Sequence, residues 1–220
     1  MPSSAEERGQ LEIRPPHRRP SVPGSVGARW SRGEEGCLQG RQGVAVSTRP
    51  GEEMSILPPV AAIPGTYALL LLSTTDRVVP IGQRGQLHVQ PGCYVYVGSA
   101  LGPGGVRARL WHHCRSAARP HWHIDYLRGT VRLIKIWYTY DARRREHQWA
   151  EVLGGLRGAS VPMKGFGASE CRCVSHLYFF TTPPSWLTFC QQVATVVGPH
   201  QPIYRAEGDR VCAYRQRPAR

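Results

Sequence analysis

The stretch Gly92-Cys93-Tyr94-Val95-Tyr96-Val97-Gly98-Ser99-Ala100, read with Gly65-Thr66-Tyr67-Ala68-Leu69-Leu70-Leu71-Leu72 upstream, decides the fold. The upstream run is almost continuously apolar, as a central strand covered on both faces requires. In the downstream run Tyr94 and Tyr96 fall on one face, and Cys93, Val95 and Val97 on the other, because side chains alternate along a strand. The tripeptides Gly65-Thr66-Tyr67 and Tyr96-Val97-Gly98 thus open and close a β-hairpin. Between them, Val78 to Ile81 and Gln86 to Val89 read as two short strands around the turn Gln83-Arg84-Gly85.

Downstream, Gly102-Pro103-Gly104-Gly105 leads into a helix predicted from about Val106 to Ala118, with Val106, Leu110, Cys114 and Ala117 as its apolar stripe. Arg109 and His113 flank that stripe. A short helical turn is expected over His121 to Leu127, and the longest strand over Val131 to Tyr140. The following helix, Arg143 to Leu156, buries Trp149, Val152, Leu153 and Leu156. Glu146 lies three residues before Trp149 and so extends the core-facing stripe by one turn. A carboxylate there needs a cation or strong donors; the alternative is an exposed first turn favouring the helix dipole. Past Phe180 the sequence suggests one more helix, over Trp186 to Val197, and then an irregular basic tail.

The 220 residues carry 28 Lys plus Arg against 15 Asp plus Glu, a formal charge of +13. Residues 1 to 53 hold eight basic and seven acidic side chains, so residues 54 to 220 keep +12. Only Lys135 and Lys164 are lysines, and arginine suits bidentate contact with phosphate oxygens. Nucleic acid is the expected partner. Residues 1 to 53, rich in Pro, Gly, Ser, Arg and Glu, read as a disordered leader, with Met54 as an alternative start. The expected division is this leader, a domain over residues 54 to 182, and a C-terminal helix with its tail over residues 183 to 220. The apolar stretch Ile56 to Leu72 is broken by Pro58, Pro59, Pro64 and Gly65, so neither a membrane span nor an export signal is expected. Seven scattered cysteines do not resemble a secreted disulfide framework, and a cytoplasmic location follows as the expectation.

The ordered combination of the two tripeptides, Arg107-Ala108-Arg109-Leu110 with His113, His121-Trp122-His123-Ile124-Asp125-Tyr126, and Gly165-Phe166-Gly167-Ala168-Ser169-Glu170-Cys171-Arg172-Cys173 resembles the GIY-YIG nucleases, and within them the small standalone Uri-type branch. The resemblance spans roughly Gly65 to Phe180. It implies an α+β fold, a central three-stranded antiparallel sheet flanked by helices. It also implies metal-dependent hydrolysis of phosphodiester bonds in DNA rather than RNA, in repair or processing, with Mg2+ or Mn2+ as cofactor. Tyr67 and Tyr96 would be the motif tyrosines, Arg109 the helix arginine and Glu146 the metal-binding carboxylate. Arg107, His113, Arg115, His121, His123 and Ser169 would contact nucleic acid. Which tyrosine assists the attacking water stays open. The alternatives are a non-catalytic nucleic-acid-binding module of the same fold, and a metal-binding regulatory protein.

Two departures stand out. The motif isoleucines are Thr66 and Val97, both compatible with a strand. The asparagine that many such enzymes carry late in the domain has no counterpart, since the chain contains none; Ser169 or His176 would have to serve instead. The Cys171-x-Cys173-x-x-His176 cluster invites a zinc reading, with His121, His123 or Cys114 as fourth ligand. Its spacing is tighter than C-x-x-C and no second half is evident, so buried structural cysteines are the expectation.

Overall fold

The computed structural model describes residues 60–115 and 120–215. The leader, Met54, Ala117 and the last five residues of the basic tail lie outside them. The strands, in chain order, are β1 (Gly65–Ser73), β2 (Arg77–Pro80), β3 (Gln86–Val89), β4 (Gly92–Ala100), β5 (Arg132–Thr139), β6 (Leu177–Phe180) and β7 (Ile203–Glu207). The helices are α1 (Gly105–His113), α2 (His123–Arg128), α3 (Glu146–Gly155), α4 (Trp186–Val197) and α5 (Gly208–Arg215).

Strand β1 is central because nearly all of Gly65 to Ser73 is apolar and is buried from both sides. It pairs antiparallel with β4 on one edge and β5 on the other, so Tyr67 lies opposite both Gly98 and Tyr138. The full antiparallel sheet runs β6-β4-β1-β5-β7, while β2 and β3 form a separate two-stranded ribbon. The α+β class, with helices flanking a central antiparallel sheet, is as expected.

Alternation along the strands divides the core into two layers. Tyr67, Leu69, Leu71, Tyr94 and Tyr96 face α1, α2, α5 and the β2–β3 ribbon, whose Val106, Leu110, Ile124, Leu127, Val211 and Leu87 complete that side. Ala68, Leu70, Cys93, Val95 and Val97 face α3 and α4, against Trp149, Leu153, Phe189 and Val193. Trp137 stacks on Phe189 with ring centroids 4.7 Å apart, filling the second layer. Each buried leucine or aromatic contributes about 1.5–3 kcal/mol, and β1 supplies such side chains to both layers.

Several expectations need correction. The sheet has five strands, not three, because the apolar run of β6 adds to β4 and β7 adds to β5. The segment after α4 is therefore no irregular tail: through residue 215 it is a strand and a helix, and Tyr204 stacks on Tyr138 at 5.4 Å. Strands β1 and β4, at nine residues each, exceed β5 at eight. Helix α1 stops at His113, short of Ala118. Cys114 does not continue a free apolar stripe; it is disulfide-bonded to Cys212 on α5, while Cys93, Cys171 and Cys173 are free thiols. No helix among the described residues is long and apolar enough to cross a membrane.

Both tripeptide glycines are required by close approach. A Cβ on Gly65 would collide with the Thr139 carbonyl and the Val106 side chain, and one on Gly98 with the Tyr67 phenol lying across it. Gly98→Ala is expected to lower stability to urea by about 1–3 kcal/mol, the usual cost of overpacking a closed core. Gly102→Ala, where an added Cβ meets nothing within 4 Å, should change it far less. Equal unfolding midpoints for the two variants would contradict the packing argument.

Candidate functional site

A cleft of about 290 Å³ opens where Tyr67 and Tyr96, Arg109 of α1, the start of α3 and the loop after Gly165 converge. Tyr67, Tyr96, Arg109 and Glu146 all line it, although 79 residues separate the first from the last. His121, His123 and Ser169 line it as well. Arg107 and Arg115 do not: both are exposed, and Arg107 stacks on Trp111 at 5.3 Å. They lie outside the cleft because they sit two residues before and six after Arg109 on α1 and its end.

The Tyr67 hydroxyl and His113 Nε2 are hydrogen-bonded at 2.8 Å. Burial, and next the neighbouring Tyr96 phenol, push the Tyr67 hydroxyl well above its ordinary pKa, with Arg109 opposing. Burial likewise raises Tyr96, helped by Glu146 and again opposed by Arg109. Both phenols are therefore protonated at neutral pH. Burial holds His113 down at about 3, aided by His112 and Arg128, so its ring is neutral. Its Nδ1 is buried without a hydrogen-bond partner. His113 thus stands behind Tyr67 as a neutral partner, not as a surface cation meeting phosphate. Arg128 fixes this end of α1 by donating from Nε and Nη2 to the His113 carbonyl, at 3.0 and 2.6 Å.

Arg109 is oriented by an aromatic shelf. Its guanidinium lies 4.5 Å from the Trp122 ring centre, a cation–π contact. Trp122 packs edge-on to His112 at 4.5 Å, and His112 Nε2 lies 3.0 Å from Asp125 Oδ1. Asp125 Oδ2 accepts the backbone N–H groups of His121 and Trp122, each at 3.0 Å, capping α2. Burial alone would raise the Asp125 carboxyl, but those two N–H donors and His112 hold it below its ordinary range. Asp125 consequently supports the shelf under Arg109. Of the two histidines beside it, His123 accepts the Gly167 N–H at Nδ1, at 3.0 Å, and pins the loop across the cleft, whereas His121 is exposed.

Glu146 is brought in from the opposite layer. The N–H of Arg145 donates to Thr66 Oγ1 at 3.3 Å, tying the start of α3 to β1 one residue from Tyr67. The buried Arg145 guanidinium pairs with Asp141 at 2.8 Å and donates to the Pro199 carbonyl at 2.9 Å. The Glu146 side chain is only 13% exposed, and both of its ion pairs use Oε1, with His147 Nε2 at 3.2 Å and Arg144 Nη1 at 4.0 Å. The Thr66 hydroxyl makes this tie. Arg144, which also lines the cleft, went unread in the sequence because three consecutive arginines give no sign of which one faces inward.

Among the described residues, two groups of side chains bring metal-ligating atoms within 4.8 Å of one another: His147, Cys171, Cys173 and His176, and His112, His113 and Asp125. In the second, His112 Nε2 is engaged with Asp125 and His113 Nε2 with Tyr67, which leaves His113 Nδ1 buried without a hydrogen-bond partner. In the first, the fourth member is His147 of α3. It is none of the three expected from sequence, since Cys114 is bonded to Cys212 while His121 and His123 lie elsewhere in the cleft.

The depressed His113 value sets a pH dependence. Unfolded, this imidazole titrates near 6.5, so between about 6.5 and 3 the unfolded chain binds one more proton there than the folded chain. Stability contributed by neutral His113 is complete above that window and falls by about 1.4 kcal/mol per pH unit on acidification through it. His113→Gln should flatten the decline in urea stability between pH 7 and 5 relative to the parent chain. Parallel declines would show that His113 is not responsible.

Comparison with curated proteins and with solved structures gave no match. A family model described as a domain of unknown function, DUF123, matches residues 66–198, from the middle of the first tripeptide to the end of α4, and the chain belongs to that family.

Proposed function

We propose that the chain is a metal-dependent endonuclease of GIY-YIG type that hydrolyses phosphodiester bonds in DNA, in repair or processing. The observation that carries this reading is the meeting of Tyr67, Tyr96, Arg109 and Glu146 in one cleft from four separate elements. The charge of +13 favours a polyanionic substrate, and Arg109 and Arg144 both line the cleft.

Magnesium keeps several waters and needs only one or two carboxylates beside substrate phosphate, so Glu146 alone fits as its protein ligand. The Oε2 atom takes part in neither of the two ion pairs, which leaves it for that role. When bound, the ion would supply positive charge to a nonbridging phosphate oxygen and to the departing oxygen. Arg109, held over the Trp122 ring, neutralises charge as it grows on the equatorial oxygens.

A free phenol is a poor base, and burial makes both of these poorer. Both tyrosines pack against the His113 ring, but it is Tyr67 whose hydroxyl is hydrogen-bonded to it. The Tyr67 oxygen can take a proton from water while its own proton passes to His113 Nε2, so a bare phenolate never forms. The low His113 value opposes that transfer, and the negative charge of a phosphodiester in the cleft works against the opposition.

Glu146→Gln is expected to reduce magnesium- or manganese-dependent nicking by at least about 100-fold while leaving DNA affinity nearly unchanged. A panel of labelled DNA and RNA structures with mapped ends would read both. Tyr67→Phe should cost more rate than Tyr96→Phe and alter the pH profile. If the parent chain cuts no member of the panel with either ion yet binds it, the non-catalytic binding module replaces the enzyme reading.

A further inference from the structure

The loop from Gly165 to His176 closes one side of the cleft without regular secondary structure. Its two ends are fixed: Gly165 N–H donates to the Val174 carbonyl at 2.7 Å, and His176 N–H to the Phe166 carbonyl at 2.8 Å. Its middle brings Cys171 and Cys173 against two imidazoles from other positions, His176 just before β6 and His147 in the first turn of α3. Cys171 Sγ lies 3.4 Å from His176 Nε2, and Cys173 Sγ 3.5 Å from His147 Nδ1.

We propose that His147, Cys171, Cys173 and His176 form a zinc site. With zinc–sulfur and zinc–nitrogen bonds of about 2.3 and 2.0–2.1 Å, tetrahedral angles place sulfur and nitrogen ligands about 3.5 Å apart, which is the spacing of both cysteine–histidine pairs. Two thiolates offset the charge of the ion, and sulfur with imidazole is a donor set that zinc prefers and magnesium does not. With Nδ1 turned to the thiolates, His147 presents Nε2 to Glu146 Oε1 at 3.2 Å, the carboxylate behind a histidine ligand that fixes its tautomer and orientation. Four protein ligands close the coordination sphere, so the ion is structural. It joins the loop to α3 at the residue next to Glu146, and it does so whether or not the cleft cuts nucleic acid.

The test uses the full chain purified without chelator. Elemental analysis should find about one zinc per chain, falling below about a tenth in Cys173→Ser and in His147→Ala and unchanged in His88→Ala, which alters an exposed histidine outside the cluster. Cobalt(II) added to metal-stripped parent chain should give the intense visible bands of a tetrahedral ion together with thiolate charge transfer. That measurement stands even if a variant fails to fold. A parent chain that takes up neither ion, a cobalt spectrum of octahedral type, or a Cys171–Cys173 disulfide in freshly purified protein would each overturn the site. None of these readouts depends on nuclease activity.

Discussion

The phenol of Tyr67 lying across Gly98 is the contact on which the rest of the cleft depends. It admits only one register between β1 and β4, because a slip of one residue would leave Tyr67 and Tyr96 on opposite faces of the sheet, one of them in the layer of α3 and α4. The residue before it serves the other layer, since Thr66 points to the opposite face and accepts the N–H that anchors the start of α3. One tripeptide thereby fixes both walls, α1 through Tyr67 and His113, and Glu146 through Thr66 and Arg145. Its glycine lets the chain pass close to β5 and α1 where these walls begin.

The charges are layered in the same way. The groups deepest in the site, Tyr67, Tyr96 and His113, are all held neutral by burial. The groups nearer the opening, Arg109, Arg144 and Glu146, carry charge and are each held by a neighbour: an indole face, a carboxylate or an imidazole. A rigid neutral floor beneath oriented ions costs little reorganisation when an anion enters, which is the arrangement electrostatic catalysis favours.

Much of this was legible in the sequence because it rests on local periodicity. Alternation assigned Tyr94 and Tyr96 to one face and Cys93, Val95 and Val97 to the other, and helical spacing placed Arg109 beside a buried stripe and Glu146 ahead of Trp149. What escaped depends on partners distant in the chain. Strand β7, Ile-Tyr-Arg-Ala-Glu, has too little apolar alternation to announce itself and is held by its ladder to β5. His147 lies 24 residues before Cys171 on another element, so no spacing rule joins it to Cys-x-Cys-x-x-His. Arg107 and Arg115 look like equal candidates beside Arg109 in one dimension, and only the direction in which α1 buries Leu110 separates them.

The bond between Cys114 and Cys212 makes the intervening segment a covalent ring. The ring contributes β5, β6 and β7, whereas β1 and β4, the innermost strands on the β6 side of β5, come from the chain before it. Both edges of the sheet thus belong to one closed loop gripping a hairpin that is not part of it. A single backbone cut between these cysteines, in the cleft loop for instance, would release no fragment until the bond was reduced.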